Sequence, residues 1–576
     1  MSWEAVFSPG AVLPIAVLLP ACCALAAAAG GRTACRLVAG SAAPAAAVAL
    51  LLSDGATTTL PWVLLHARLG IDPTGRMFLL FTSVLWLLAG IYGTRYLGSD
   101  PRKGRFFFFY GLALSGNLAL IVAWDMVSFF TGFAVMSFAS YGLVVHTGGP
   151  EALRAGRVYL TLVVIGEVLL FSGLVLVAAT AGAYDLVQPA PAKVPPAAVL
   201  LLVVGFGIKA GALPLHVWLP LAHSAAPTPA SAVLSGAMIN AGLLGWMRFL
   251  APATPGTETW GAALMVAGAA AAFYGVGVGV TQSSPKTILA YSSISQMGLI
   301  TTAFGIALFE PGAAVPALQS VEIYAMHHGF AKGALFLGVG LMAVAGSPRQ
   351  ARVVWLGLVL AALSLAGVPF TSGAFAKAWV KAAAGMLPQP ASGALSVVLP
   401  LAAVGTTLLL GRFLHVMRNR SPAPAHPADM TLWVPWALLL APSALIPAGV
   451  QAPELDPVLT VRALASTVWP VAAGAALLVL AAAGARLGSR MPRLPAGDLV
   501  EIYLRAWLGL AGIWEHVRGV AWAGRGFRQT LEQARLKAFE AGESIDAFMT
   551  DRRVQGVLFL LLICLFYLSG ILQTAY

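Results

Sequence analysis

Charge is what this sequence has least of. Asp, Glu, Lys and Arg together make up 10% of 576 residues, where a soluble domain carries about a quarter. That scarcity excludes an ordinary water-soluble fold. Cysteine is scarce too, with only Cys22, Cys23, Cys35 and Cys564. None stands at zinc-finger or redox spacing and most lie in or beside apolar runs, so neither a disulfide framework nor a metal site is indicated. No phosphate-binding glycine loop, nucleophile elbow or metal-ligand cluster appears. The chain is therefore expected to hold no cofactor and no autonomous active site; it conducts or it scaffolds.

What fills the sequence instead is apolar. Hydrophobic residues account for 59% and the mean hydropathy is +0.85. About sixteen runs approach the roughly 20 residues a membrane helix needs. The expected fold class is an all-α polytopic membrane protein. The formal charge of +12 does not indicate nucleic acid, because the cations are dispersed among loops beside spans. Arg32, Arg36, Arg95, Arg102, Lys103, Arg105, Arg154, Arg157, Lys286, Arg349, Arg352, Arg412 and Arg418 follow odd-numbered runs, whereas the alternate loops hold Asp54, Asp72, Asp185, Glu258 and Glu310. The positive-inside rule then puts the odd-to-even loops in the cytoplasm and both termini outside. The loop after the seventh run is the weak case, with only His216 and His223. The first run lacks a basic flank and carries Glu4, so a retained span is expected rather than a cleaved signal.

One stretch organises the rest, GFGIKAGALPLHVWLPLAHSAAPTPASAVLSGAMINAG from Gly205 to Gly242. It sets Lys209 inside an apolar run (196–219) and follows it with Pro214, which breaks or kinks a helix. A lysine at membrane depth costs several kcal/mol unless it faces a partner or a wet cavity. A broken membrane helix is tolerated where its freed backbone lines such a cavity. Charge and break together predict an ion route; the alternative is a stem snorkelling to the headgroups. The twelfth run (353–388) repeats the combination, with a break at Val368-Pro369 and a second buried lysine, Lys377. Five spans separate the two, and an odd separation reverses orientation, as in inverted repeats.

Few other charges sit at membrane depth. Asp125 opens the fifth run and Glu167 lies in the sixth. The eleventh carries Glu322, His327, His328 and Lys332 in VEIYAMHHGFAKGALFLG. His328 and Lys332 are four apart, hence on one helix face, and near-neutral histidines suit proton relay. The expected proton pathway is Lys209, Lys377, His328, Lys332, Glu167, Glu322 and Asp125. His327, pointing another way from its neighbour, is expected to be a packing residue. From Asp498 to about Arg553, aromatic and aliphatic residues recur at helical spacing among charges, which predicts an amphipathic helix along the cytoplasmic interface, the alternative being a soluble helical hairpin docked on a partner; 554–576 would then anchor it.

Three motifs, KAGALPLHVWLPLAHSAAPTPASAVLSG from Lys209, KTILAYSSISQMG from Lys286 and HHGFAKGALFLG from His327, resemble the antiporter-like subunits of respiratory complex I, Mrp-type sodium/proton antiporters and energy-converting membrane hydrogenases. The resemblance runs from about the third span to the thirteenth. It implies two inverted five-helix repeats, broken seventh and twelfth spans, a central file of charged residues and residence in a larger complex. The chain then divides into 1–105 (spans 1–3), 106–250 (first repeat), 251–412 (second repeat), 413–497 (spans 14–15), 498–553 (lateral helix) and 554–576 (anchor). Lys209, Lys377, His328 and Lys332 match family positions. Three positions depart from the pattern. Ala134 stands where the family has a glutamate, Asn240 where it has a lysine, and Leu221 where it has an acid after Trp-Leu-Pro. Glu167 is the candidate replacement for the missing glutamate. The implied partners are other integral subunits in the cytoplasmic (inner) membrane and a peripheral redox module, with protons or sodium as cargo and the bilayer as solvent. Three functions follow: a proton-translocating subunit of a complex I-like or hydrogenase-like assembly, a subunit of an Mrp-type antiporter or proton-coupled inorganic-carbon transporter, and a non-conducting scaffold.

Overall fold

The computed structural model describes residues 8–499 except 30, 62, 65, 182–185, 187–193, 251–256, 419–428, 445–460, 487–493 and 498. Apart from Leu499, the expected lateral helix and the C-terminal anchor lie outside the described residues. The chain divides into one large unit, Met1–Thr59 with Arg68–Ala496, and a second, Leu60–Ala67 with Gly497–Tyr576. The large unit carries the features below.

It is built of helices. The first are α1 (Pro9–Ala28), α2 (Arg32–Gly40), α3 (Ala43–Leu51), α4 (Pro73–Tyr96), α5 (Lys103–Val122), α6 (Met126–Val144) and α7 (Pro150–Ala181). The middle of the chain holds α8 (Pro196–Ala210), α9 (Trp218–Ala225), α10 (Thr228–Val233), α11 (Asn240–Phe249), α12 (Thr257–Gly279) and α13 (Pro285–Phe309). After these come α14 (Ala314–Val344), α15 (Pro348–Ala366), α16 (Ser372–Gly385), α17 (Ala391–Arg418), α18 (Met430–Ala444) and α19 (Val461–Arg486). Twelve described segments are long and apolar enough to cross a bilayer, and the protein is a multi-pass membrane protein. The second expected run is split. Pro44 has no N–H to return to the Gly40 carbonyl, and the Ser41 hydroxyl turns back onto the Val38 carbonyl at 2.8 Å. A short pair of strands, β1 (Thr57–Leu60) and β2 (Ala67–Gly70), departs from the all-helical expectation.

The two most enclosed spans are 228–249 and 285–309, each 94% buried over its apolar window. Both belong to the stretches singled out by their polar motifs, so the polar residues occupy the middle of the bundle and apolar faces such as Val164, Ile165, Val168 and Phe171 of α7 line its outside. That inversion of soluble-protein logic is what lipid as solvent requires. α13 packs against α9, α12, α14, α16 and α17. Its approach to α12 is backbone on backbone. A Cβ on Gly268 would sit 2.4 Å from the Gly298 carbonyl, and one on Gly298 would sit 2.5 Å from the Gly268 carbonyl. Only glycine permits this crossing, the small-residue packing that holds helices together where lipid removes the hydrophobic drive.

Both expected breaks are present, each ending on a left-handed glycine. α8 stops at Gly211 (φ 67, ψ 32) and α15 at Gly367 (φ 94, ψ 37). The first break therefore starts three residues before Pro214, which instead leads into a 3-10 turn, Leu215–Val217. A left-handed glycine terminates a helix by itself, and the proline only prevents its resumption. At the second break Pro369 lies in the connecting turn and Thr371 caps α16 through the Ala374 N–H at 3.3 Å. The eighth span carries an unexpected feature, a π-helical turn over Leu234–Met238 between α10 and α11. Such turns concentrate at functional sites.

Candidate functional site

The first break delivers Lys209 in the last turn of α8, 4% exposed. Its ammonium donates to the Tyr159 hydroxyl at 3.3 Å and lies 5.7 Å from that ring's centre. The Tyr159 hydroxyl, from α7, donates in turn to the Ser137 carbonyl of α6 at 2.9 Å. Trp218 closes the break. Its indole N–H donates to the Ile208 carbonyl at 2.8 Å, a helix-end acceptor that also takes the Gly211 N–H at 3.2 Å, and its ring meets Tyr159 edge-on at 5.3 Å. Lys209, Glu167, Tyr159, Ser137 and Trp218 line one small cavity together with apolar side chains of α6, α7 and α8. One Glu167 carboxylate oxygen is buried without a hydrogen-bond partner among the described residues. The structure thus brings Glu167 and Lys209 to the same cavity. Ala134, at the family's glutamate position, lies on α6 but is not part of the lining, whereas Phe133 and Ser137 of the same helix are.

Beyond Lys209 the polar residues continue through the enclosed spans. Asn240 donates to the Gly236 carbonyl inside the π turn at 2.9 Å, and its own amide oxygen is buried without a partner among the described residues. Leu221, partly buried, stands on α9 two residues before His223. His223 is fully buried, stacked on Phe336 at 4.7 Å, with both ring nitrogens unpartnered among the described residues. Lys332 and Lys286 both act on it electrostatically. Lys332 donates to the Leu289 carbonyl at 2.8 Å and to the Ser292 hydroxyl. His328, one turn before Lys332, is fully enclosed with both nitrogens unpartnered among the described residues. Farther along, the Tyr324 hydroxyl donates to the Gln296 carbonyl oxygen at 2.9 Å, and the Gln296 amide donates to Thr406 at 3.1 Å.

The second break holds Lys377 differently from the first. Its ammonium reaches back across the gap to the Leu365 and Ala366 carbonyls, at 3.0 and 2.7 Å. Lys209 sits in the half-helix before its break, Lys377 in the half-helix after. A helix-end carbonyl takes a side-chain donor at both, an indole at one and the lysine itself at the other.

Two further expected pathway residues, Asp125 and Glu322, are held by hydrogen bonds away from the Lys209 cavity. Asp125 is the N-cap of α6; its two oxygens accept the Ser128 N–H at 2.7 Å and the Arg68 N–H at 2.8 Å. Glu322 accepts from the Thr74 hydroxyl at 2.5 Å, beside a paired Asp72 and Arg248 whose contacts are 2.6 and 2.7 Å. Burial alone would lift the Asp72 carboxyl, but the Arg248 guanidinium and the Gly75 N–H outweigh it and hold the group below its usual range. A depressed carboxylate contributes stability that is present above its unfolded value, about pH 4, and lost as pH falls through the folded one. Asp72→Asn should therefore lower thermal stability at neutral pH by about 1–3 kcal/mol. The gap to the parent should close below about pH 4, read by thermal unfolding in detergent at a series of pH values.

Sequence reasoning passed over His223, Tyr159, Ser137, Ser292, Gln296 and Ser372. The only available signal was polar spacing in YSSISQ and the histidine embedded in LPLAHSAAP.

Residues 123–390, from the entry of α6 to just past α16, match the family described as NADH:quinone oxidoreductase/Mrp antiporter, TM. Hydrogenase-4 component B of Escherichia coli is 31% identical over 294 residues, covering 49% of this chain and 44% of that protein. A probable K(+)/H(+) antiporter component of Rhizobium meliloti is 28% identical over 409 residues, covering 65% and 39%. The chain thus spans about half the length, or less, of the curated relatives it matches. The Mrp complex from Dietzia sp. DQ12-45-1b aligns with a TM-score of 0.67 at 23% identity, over 98% of this chain and 63% of that one; this likeness concerns the fold. The match over 123–390 takes in both fractured spans and the enclosed lysines, and this part of the chain is similar to the antiporter-like membrane subunits of NADH:quinone oxidoreductases, hydrogenases and Mrp antiporters.

Proposed function

We propose that this chain translocates protons across the cytoplasmic membrane as one subunit of a complex I-like or hydrogenase-like assembly. The observation that carries the reading is the shared cavity of Glu167 and Lys209 at the first break. A carboxylate and an ammonium placed together in a low-dielectric pocket exchange a proton readily, because pairing favours both charged forms and burial both neutral ones. From there Asn240, His223, His328 and Lys332 supply further polar groups through the enclosed spans, and the line ends at Lys377. Water bridging such groups is ordinary in buried polar sites. In this reading the chain has about sixteen spans in two inverted five-helix repeats (106–250 and 251–412), both termini outside, and a cytoplasmic lateral helix over 498–553 that braces neighbouring integral subunits. Protons are the cargo, and a peripheral redox module supplies the energy.

A second reading is favoured by the antiporter relatives, which include the K(+)/H(+) antiporter component of Rhizobium meliloti and an antiporter protein of Staphylococcus aureus. Here the same axis exchanges a monovalent cation for protons and needs no electron donor. The test uses inverted membrane vesicles containing the full chain in its native complex and a pH-sensitive acridine dye. Electron-donor addition should acidify the lumen, and Lys209→Ala or Lys377→Ala should abolish that signal with the complex still assembled. Acidification driven by an imposed potassium or sodium gradient alone would favour the exchange reading. Unchanged rates in both variants would leave only a scaffold.

A further inference from the structure

Two histidines stand side by side on α14 and face different parts of the protein. His328 lies within electrostatic range of Lys332, His327 and, on α9, His223. His327 looks toward the second break. Its Nδ1 lies 2.8 Å from the Ser372 hydroxyl in the first turn of α16, and Lys377 acts on it electrostatically. Ser372 in turn lies 3.3 Å from the Ser364 hydroxyl on α15, so the ring is tied to both half-helices. Its Nε2 is buried with no hydrogen-bond partner among the described residues. The ring edge lies over Gly373, where a Cβ would come within 2.8 Å of Nε2.

We infer that His327 is the relay between the His328–Lys332 pair of α14 and Lys377 at the second break, a role that rests on the proton-translocation reading above. Three observations carry it. The residue is enclosed, with 2% of its surface exposed, and one nitrogen is anchored while the other is left open, the arrangement a ring needs to take a proton on one atom and release one from the other. Anchoring alone does not call for an imidazole, since an amide would serve Ser372 equally well. And the anchor, Ser372, lies five residues before Lys377 on the same helix, so the ring sits where the two half-helices meet. In each passage a proton arrives at one ring nitrogen, the imidazolium forms, and the proton on the other nitrogen leaves toward Lys377; the neutral ring then regains its starting tautomer by turning about its Cβ–Cγ bond and closing again on Ser372. No oxidant or co-reactant is involved.

The test uses the same vesicles and dye. His327→Asn keeps a polar atom facing Ser372 but has no second site for a proton. It should lower proton uptake about tenfold or more, the scale of losing a proton-transfer group, with the quantity of assembled chain unchanged by immunoblot. Ser372→Ala keeps the imidazole and removes its anchor; uptake should persist with a displaced pH profile, and this variant decides the matter if His327→Asn does not accumulate. Lys377→Ala separates the two readings. Loss of uptake in Lys377→Ala with parental uptake in His327→Asn, or a parental pH profile in Ser372→Ala, overturns the relay alone. Parental uptake in Lys377→Ala overturns the translocation reading and the relay with it.

Discussion

Glu167→Gln should stop translocation while leaving the chain in the membrane. The substitution keeps the volume of the side chain and removes its charge, so Lys209 remains enclosed among Tyr159, Trp218 and apolar neighbours without an acid beside it. Breaking a buried pair by deleting one partner costs about 3–5 kcal/mol, because the remaining charge is uncompensated. The lysine avoids that cost by giving up its proton, and a lysine that stays neutral cannot cycle. A decrease of about a hundredfold in proton uptake is expected, within the range for proton-transfer groups. Restoring a carboxylate from the neighbouring helix, as Glu167→Gln with Ala134→Glu, should recover part of the rate. Recovery identifies the acid as the working partner of Lys209 and its helix of origin as interchangeable. Parental uptake in Glu167→Gln, measured at equal chain content, would count decisively against Glu167.

Gly373→Ala should be the most damaging single methyl group in the described structure. A Cβ there would lie 1.8 Å from the Ser364 carbonyl and 2.8 Å from His327 Nε2, and the carbonyl is backbone that cannot swing aside. α15 and α16 must separate, which loosens the Ser364–Ser372–His327 contacts and stretches the Lys377 hold on the Leu365 and Ala366 carbonyls. Overpacking of this kind costs about 1–3 kcal/mol or more. The expected result is a lower unfolding temperature in detergent together with loss of uptake. Gly385→Ala on the same helix, whose Cβ would meet nothing within 4 Å, should change neither. Equal unfolding temperatures for the two variants would show that the backbone there yields more easily than its spacing implies.

The lysines were legible in the sequence because an ammonium in an apolar run has few bland explanations, and each stood near a proline. The breaks were legible for the same reason, although the left-handed glycines Gly211 and Gly367 set the helix ends and the prolines only follow them. His223 was hidden because LPLAHSAAP reads as a polar connection; the fracture folds that connection into the bundle, where its ring stacks on Phe336. Serines such as Ser292 and Ser372 carry almost no signal, since a hydroxyl can bond to its own helix and costs little in an apolar run. Asp125 also fits a second, structural role. Its spacing to Ser128 is that of a helix cap, and the carboxylate is occupied by backbone N–H groups. Glu167 could be named as a candidate from the departure at Ala134. That it reaches the Lys209 cavity depended on how α7 turns against α8, which no periodicity records.

The crossing at Gly268 and Gly298 bears on where this protein can move. Two rods touching along their main chains have no side-chain cushion between them, so neither can slide or rotate without the other. They behave as a single stiff post through the middle of the second half. Any rearrangement of the bundle must then be taken up elsewhere, at the two interrupted rods and the π turn, where the regular backbone ladder is already open.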